Sequence, residues 1–258
     1  VGGLIFGIGM VAASSCVTGL FYKTGHGMVG ALIGLATWAV GDILVYLGPL
    51  SGLRASLRAP DLVVEGQSAT LFNLPGIGGT ALLLVILAIA ALYLWRAPRN
   101  QRDKLWKWPV LGAATGIFMS LAWLLARAGG SDYTFGTSGV PSGVVSALTG
   151  ELEGGTPWIP VTLLFLLPGA FLAARYAGTF WLRGETGRRY AELAVGGLLM
   201  GAGAGIAGGC NLGHSLVGVP LLSLGSITST LAMIAGVFLA VAVGRLFSAR
   251  NKRLAAEG

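Results

Sequence analysis

Two thiols are the residues in this sequence best suited to chemistry. Cys16 and Cys210 are its only cysteines, and each closes a glycine-rich apolar run, GGLIFGIGMVAASSC and GGLLMGAGAGIAGGC. A thiol is a weak S–H donor and a weak acceptor, and its ordinary fate in an interior is to pack as a small hydrophobe. In a low-dielectric pore it suits a soft, sulfur-bearing substrate better than a hard ion. Toward an anion the thiol must be neutral, which burial favours. Two cysteines are too few for a disulfide framework. Ser15, Gly19, Gly208, Gly209 and Gly213 flank the thiols and are expected to share the site, because breaks in glycine-rich helices expose backbone N–H groups to an anion's oxygens.

The other polar residues have two readings each. His214 follows Cys210 in GGCNLGHSLVG; it either donates to an anion and titrates near neutral pH, or ties itself to a backbone carbonyl. Cys-x3-His resembles half a metal site, but no second cluster completes it, so no metal is expected. No cofactor motif is present. His26 and Lys23, in YKTGHG, either draw in anions or sit at the membrane interface. Asp42, in WAVGDIL, lies inside an apolar run, where carboxylates are costly and often functional; it is a coupling-proton site or the partner of an Arg near the surface. Ser138 and Ser142, in TSGVPSGVVSALTG, are accessory candidates.

The elements that must position these residues are membrane helices. Of 258 residues 54% are hydrophobic and 10% charged, with a mean hydropathy of +0.78, whereas soluble domains carry about 25% charged residues. Lipid as solvent removes the need for a charged surface. The 43 glycines fit helices that approach closely in a membrane. The net charge of +7 sits in short tracts between apolar runs, which favours membrane topology over nucleic-acid binding. With about 20 residues needed per crossing, spans are expected at Val1–Leu20, Met28–Leu47, Ile77–Trp95, Pro109–Ala128, Trp158–Trp181, Leu193–Cys210 and Ile227–Phe247. The expected fold is therefore an all-α polytopic integral membrane protein. It has about seven spanning helices plus re-entrant or short helices, in one transmembrane domain over 1–258.

Lys and Arg set the orientation. Strict alternation puts Lys104, Arg188 and Arg250 on the cytoplasmic side and Asp132 and Glu151 outside. Thr137–Gly150 is too short to cross; it is either a re-entrant half-helix whose N-terminus points into a pore or an outer-surface helix. Trp95, Trp106, Trp108, Trp158 and Trp181 read as interfacial belts.

A repeat links the two thiols. Laid over VGGLLMGAGAGIAGGCNLG without gaps, VGGLIFGIGMVAASSCVTG matches at nine of 19 positions, both cysteines included. An odd number of crossings separates the copies, so they run in opposite directions. That is an inverted-topology repeat with halves at about 1–95 and 109–247, of the kind that places a substrate site near the midplane. Cys16 and Cys210 are then expected to face one another across the pseudo-two-fold axis. The chain opens at Val1 inside an apolar run, and the repeat predicts further segments upstream of it.

Both cysteine segments, GGLIFGIGMVAASSCVTGLFYKTGHG and GGLLMGAGAGIAGGCNLGHSLVG, resemble the paired signatures of the YeeE/YedE family of sulfur-transport membrane proteins. The resemblance is sharp over residues 2–27 and 196–218. It implies a multi-pass permease of the bacterial inner membrane for thiosulfate or a related sulfur anion. Cys16 and Cys210 would stand at the pore cysteines, which pass thiosulfate along by S–H···S contacts without covalent bonds. A cytoplasmic TusA-like sulfurtransferase is the partner such a permease implies. The first motif departs from the pattern, reading SSC where GGC or GSC is typical and GHG where GEG is common, and the further cysteine usual upstream of the first motif is not in this chain. The expected function is thus non-enzymatic transport. Two alternatives stay open: a membrane-embedded thiol redox or sulfur-transfer protein, and a permease for a selenium compound.

Overall fold

The computed structural model describes residues 1–57, 63–64, 67–71, 79–96, 108–130, 135–150 and 158–257. The chain is a helical membrane protein. Its elements are α1 (Gly2–Ala13), α2 (Val17–Gly25), α3 (Val29–Tyr46), α4 (Ser51–Leu57), a hairpin of β1 (Val63–Val64) and β2 (Gln67–Ser68), α5 (Gly79–Arg96), α6 (Trp108–Ala128), α7 (Val140–Thr149), α8 (Trp158–Tyr176), α9 (Gly187–Ala207), a π-helix (Leu212–Gly218) and α10 (Leu224–Glu257).

Helices occupy all seven expected places. Among the described residues, five stretches are long and apolar enough to cross a bilayer: Gly2–Gly25, Val29–Tyr46, Pro109–Ala128, Gly187–Ala207 and Leu224–Leu246. The apolar parts of α5 and α8 are shorter, Thr80–Tyr93 and Leu163–Tyr176. Three boundaries differ from expectation, the sixth span starting at Gly187 rather than Leu193. The first span runs past Leu20 to Gly25 but is broken at Ser14–Cys16. The fifth ends at Tyr176, because the chain there turns into an extended segment: Trp181 N–H donates to His26 O, and Arg183 and Met28 form a parallel bridge. The links that carry Lys104, Asp132 and Glu151 lie outside the described residues.

The core is built by glycines. α1 and α9 lie antiparallel: a Cβ placed on Gly2 would stand 2.6 Å from Gly203 O, and one on Gly9 2.9 Å from Gly196 O. Real side chains do not fit at such distances, so only glycine lets the two backbones touch. α3 runs parallel to α9 on one side of this pair, and α10 packs on α1 on the other. The contacts come in matched sets. Gly7 meets Met233 O and the Cα of Gly236, while Gly201 meets Trp38 O and the Cα of Gly41. Gly7 and Gly201 are 194 positions apart; Gly41 and Gly236, like Trp38 and Met233, are 195 apart.

The one-residue change of offset has a local cause. Thirteen positions separate Cys16 from Val29 and fourteen separate Cys210 from Leu224. The second segment absorbs the extra residue as a π-helix, whose i→i+5 bonding, such as Val219 N–H to His214 O at 2.7 Å, fits one more residue into a turn.

Candidate functional site

Each thiol sits at a break between two helices. α1 ends because Ser14 adopts the left-handed conformation (φ 48°); α9 ends the same way at Gly208 (φ 75°), 194 positions later. A left-handed C-cap favours glycine because a Cβ is strained there, so Ser14 is the costlier of the two. The chain then restarts. Cys16 is the N-cap of α2, its Sγ accepting from Gly19 N–H at 3.4 Å and lying 3.1 Å from Thr18 Oγ1. A Cβ on Gly19 would push the Ser15 hydroxyl aside. Cys16 is half-buried, whereas Cys210 is 1% exposed and packs in the main core cluster with Phe6, Leu193 and Met200. Both thiols are free.

The breaks are held by side chains that donate to the last carbonyls of the preceding helix. At α1, Arg189 donates to Ala12 O (3.0 Å) and Ala13 O (2.5 Å), and Lys23 Nζ donates to Ser14 O (2.9 Å). At α9, Arg54 Nε donates to Gly205 O (3.0 Å), Ser138 Oγ to Ala204 O (3.0 Å), and His214 Nε2 lies 3.3 Å from Ala207 O. His214 Nδ1 is 3.1 Å from Ser226 Oγ. With Nε2–H on the carbonyl, Nδ1 accepts the serine proton. His214 also covers Gly209, where a Cβ would be 2.7 Å from Nε2. Of the two sequence readings of His214, the geometry is that of a backbone tie. Gly213 is buried within the π-helix.

The two thiols do not face one another, which corrects the sequence expectation. Ala13, three residues before Cys16, packs on Gly196, and Ala207, three before Cys210, packs on Gly2. At about 1.5 Å of rise per residue, the ends of α1 are roughly 16 Å apart. The breaks therefore lie at opposite ends of the α1/α9 pair, one after the other along it. The reason is the antiparallel packing: when each copy carries its thiol past its own C-terminus, the two thiols are sent to opposite ends.

Asp42 is fully buried and pairs with no Arg among the described residues. Its carboxylate accepts from Gly139 N–H (2.7 Å), Ser142 N–H (3.1 Å) and Ser142 Oγ–H (2.8 Å). It thereby satisfies the orphan donors of α7's first turn and meets the positive end of that helix. Pro141 in the same turn costs no hydrogen bond. α7, with ten residues, is about 15 Å long and does not cross; its N-terminus is docked against α3 and α9 near the Cys210 end. Ser138 shares a 3.0 Å hydrogen bond with Tyr46. Next to Asn211, Met10, Ser215, Thr230, Met233 and Val237 line a cavity of about 220 Å³. Met233 and Val237 occupy the places on α10 that Trp38 and Asp42 occupy on α3, so this cavity corresponds to the groove that α7 fills. His26 packs on Tyr22 in a tilted ring contact with centroids 4.2 Å apart.

Sequence reasoning missed Arg189, Arg54 and Tyr46. Arg189 stood in a basic tract read for orientation alone, and nothing in the sequence says that its guanidinium reaches back to α1.

Comparison with known proteins agrees with this architecture. Residues 1–239 match the family described as sulphur transport. Over 247 residues the chain is 29% identical to the thiosulfate transporter TsuA of Spirochaeta thermophila, covering 92% of this chain and 74% of that protein. Over 270 aligned positions it is 28% identical to the thiosulfate transporter TsuA of Escherichia coli, covering 99% and 76%. Both relatives are transporters, in line with a non-enzymatic protein. Since the family match takes in nearly the whole chain, this protein is a member of the sulphur transport family.

Proposed function

We propose that the chain is a permease that imports thiosulfate, or a closely related sulfur anion, along a path on which Cys16 and Cys210 are successive contact points. The observation that carries this is a thiol at a helix break at each end of the α1/α9 pair. At such a break a neutral S–H can meet the terminal sulfur of the anion, and the free N–H groups of the following helix can meet its oxygens. Two relatives named as thiosulfate transporters support the choice of cargo. We take the two halves, about 1–95 and 109–247, as an inverted repeat, supported by the antiparallel α1/α9 packing and the matched glycine contacts. The bacterial cytoplasmic membrane is the proposed location, with a TusA-like sulfurtransferase as the expected acceptor inside.

The thiol redox alternative loses support from the same geometry. A disulfide needs Cα atoms within about 7 Å, far less than the spacing of the two breaks along α1. The test is uptake of labelled thiosulfate into cells or proteoliposomes. Cys16→Ala and Cys210→Ala are each expected to reduce uptake at least about tenfold, the loss of one stabilising contact of roughly 1.4 kcal/mol. Sulfate, which matches thiosulfate in charge and shape but has an oxygen in place of the terminal sulfur, is expected to compete poorly. Undiminished uptake in both variants would sink the relay.

A further inference from the structure

The two breaks differ in the charge around them, and we infer that the Cys16 break is the anion-attracting end of the path, with Lys23 and Arg189 as the residues that make it so. The inference deepens the permease reading, but its test does not depend on transport.

At the Cys16 end, the charged groups among the described residues of α2, the extended segment and α9 are Lys23, then Arg183 and Glu185, then Arg188, Arg189 and Glu192, while Arg175 of α8, which packs on α2, lies over the Phe180 ring. Four cations face two acids, a surplus of two. Glu192 is shared, 3.0 Å from both Arg188 and Arg189. Glu185 reaches Arg183 only at 4.0 Å. Lys23, within electrostatic reach of Cys16, Arg183, Glu185 and Arg189, makes no ion pair among the described residues and is held on Ser14 O. Helix dipoles do not remove the surplus. The C-terminus of α1 and the N-terminus of α2 meet at this break, and their partial charges of about −0.5 and +0.5 cancel.

Among the described residues, the Cys210 end is balanced. Arg54 donates to Gly205 O and stacks over Tyr46 at 4.2 Å, and Asp42 lies within its electrostatic reach. The remaining carbonyl caps are Ser138 and His214, where Arg189 and Lys23 serve the other end. An anion moving between the stations therefore meets a net-neutral break at one and a break with a surplus of cations at the other. Lys23 and Arg189 are positioning residues as well, because they hold the carbonyls that shape the turn.

The test reads electrostatics at the thiol itself. In the full chain carrying Cys210→Ala, Cys16 is the only thiol, and it is half-buried rather than sealed. The rates of its modification by anionic ethylsulfonate and cationic ethyltrimethylammonium methanethiosulfonates are measured in proteoliposomes. The parent is expected to favour the anionic reagent relative to a free small thiol. Lys23→Gln and Arg189→Gln should each lower the anion-to-cation ratio about threefold or more, Lys23→Arg should restore it, and raised salt should compress it. A purely structural role would change both rates together and leave the ratio alone; that result overturns the inference, as does failure of the anionic reagent to reach Cys16. If Arg189→Gln does not fold, the Lys23 pair and the salt series decide. Loss of thiosulfate uptake leaves the ratio unaffected, so the two readings fail separately.

Discussion

Gly9 and Gly196 meet backbone to backbone: a Cβ on Gly9 would lie 2.9 Å from Gly196 O, and one on Gly196 would lie 2.8 Å from Gly9 O. Gly2 meets Gly203 in the same reciprocal way, at 2.6 and 2.8 Å. In the aligned segments Gly2 corresponds to Gly196 and Gly9 to Gly203. Exchanging the copies therefore turns one contact into the other, as an isologous interface requires.

This relationship makes the packing fragile at defined places. Gly9→Ala and Gly196→Ala should each destabilise by about 1–3 kcal/mol through overpacking. The double variant should cost less than the sum, because the first substitution already separates the helices. Gly112→Ala and Gly116→Ala on α6, where a Cβ would meet nothing within 4 Å, should be neutral or stabilising. Thermal unfolding in detergent checks this; equal losses at all four positions would contradict the close-packed seam.

Ser14 is the strained member of its pair. Ser14→Gly should stabilise the chain by about 1 kcal/mol, since the left-handed conformation carries no penalty without a Cβ. Gly208→Ala should destabilise by a similar amount. A lower melting temperature for Ser14→Gly would mean that its Oγ, 3.5 Å from Val11 O, matters more than backbone strain.

How much of this was legible follows from the same residues. Glycine spacing and the coincident cysteines could be read because close helix contact dictates residue type. Spans could be read because lipid dictates hydropathy. The break at Ser14 was hidden because its signal is a single unfavourable torsion in an unbroken apolar run. The separation of Cys16 from Cys210 was hidden because it depends on how α1 and α9 pack, which opposite chain direction alone does not specify. Asp42 could be singled out as an acid in a span, but not matched to α7, 97 positions away at Gly139.

Asp42 should act as the anchor of α7. Asp42→Ala leaves buried donors without a partner and should cost about 1–3 kcal/mol, with faster amide exchange at residues 139–143. Asp42→Asn, which keeps an acceptor oxygen, should cost less. In a double-mutant cycle, Asp42→Asn and Ser142→Ala should couple. Asp42→Asn with full stability and unchanged exchange, but no uptake, would point to a proton-carrying role instead.

His214 should keep Cys210 covered. His214→Ala removes the tie to Ala207 O and uncovers Gly209, so Cys210 should react faster with a neutral maleimide in a Cys16→Ala background. Ser226→Ala should have a smaller effect in the same direction, because Nε2 can still reach the carbonyl. Unchanged labelling in His214→Ala would show that the thiol's burial owes nothing to the imidazole.

The orientation can be tested at two described, exposed positions. α3 runs parallel to α9, so the turn into α4 lies near the C-terminal end of α9, where Arg54 reaches Gly205 O. Arg188, 90% exposed, lies at the N-terminal end. If α3 and α9 both cross the membrane, Gly52 and Arg188 are on opposite sides. The clustering of Arg183, Arg188 and Arg189 puts the latter inside. Single cysteines at 52 and 188, in a background with Cys16 and Cys210 replaced, are probed with an impermeant maleimide on intact spheroplasts. Position 52 should label from outside, and position 188 only after permeabilisation. The reverse pattern would invert the path and place the cationic Cys16 break at the outer face. Labelling of both from one side would mean that α9 does not cross, and the reading of Cys16 and Cys210 as successive stations through the membrane would be lost with it.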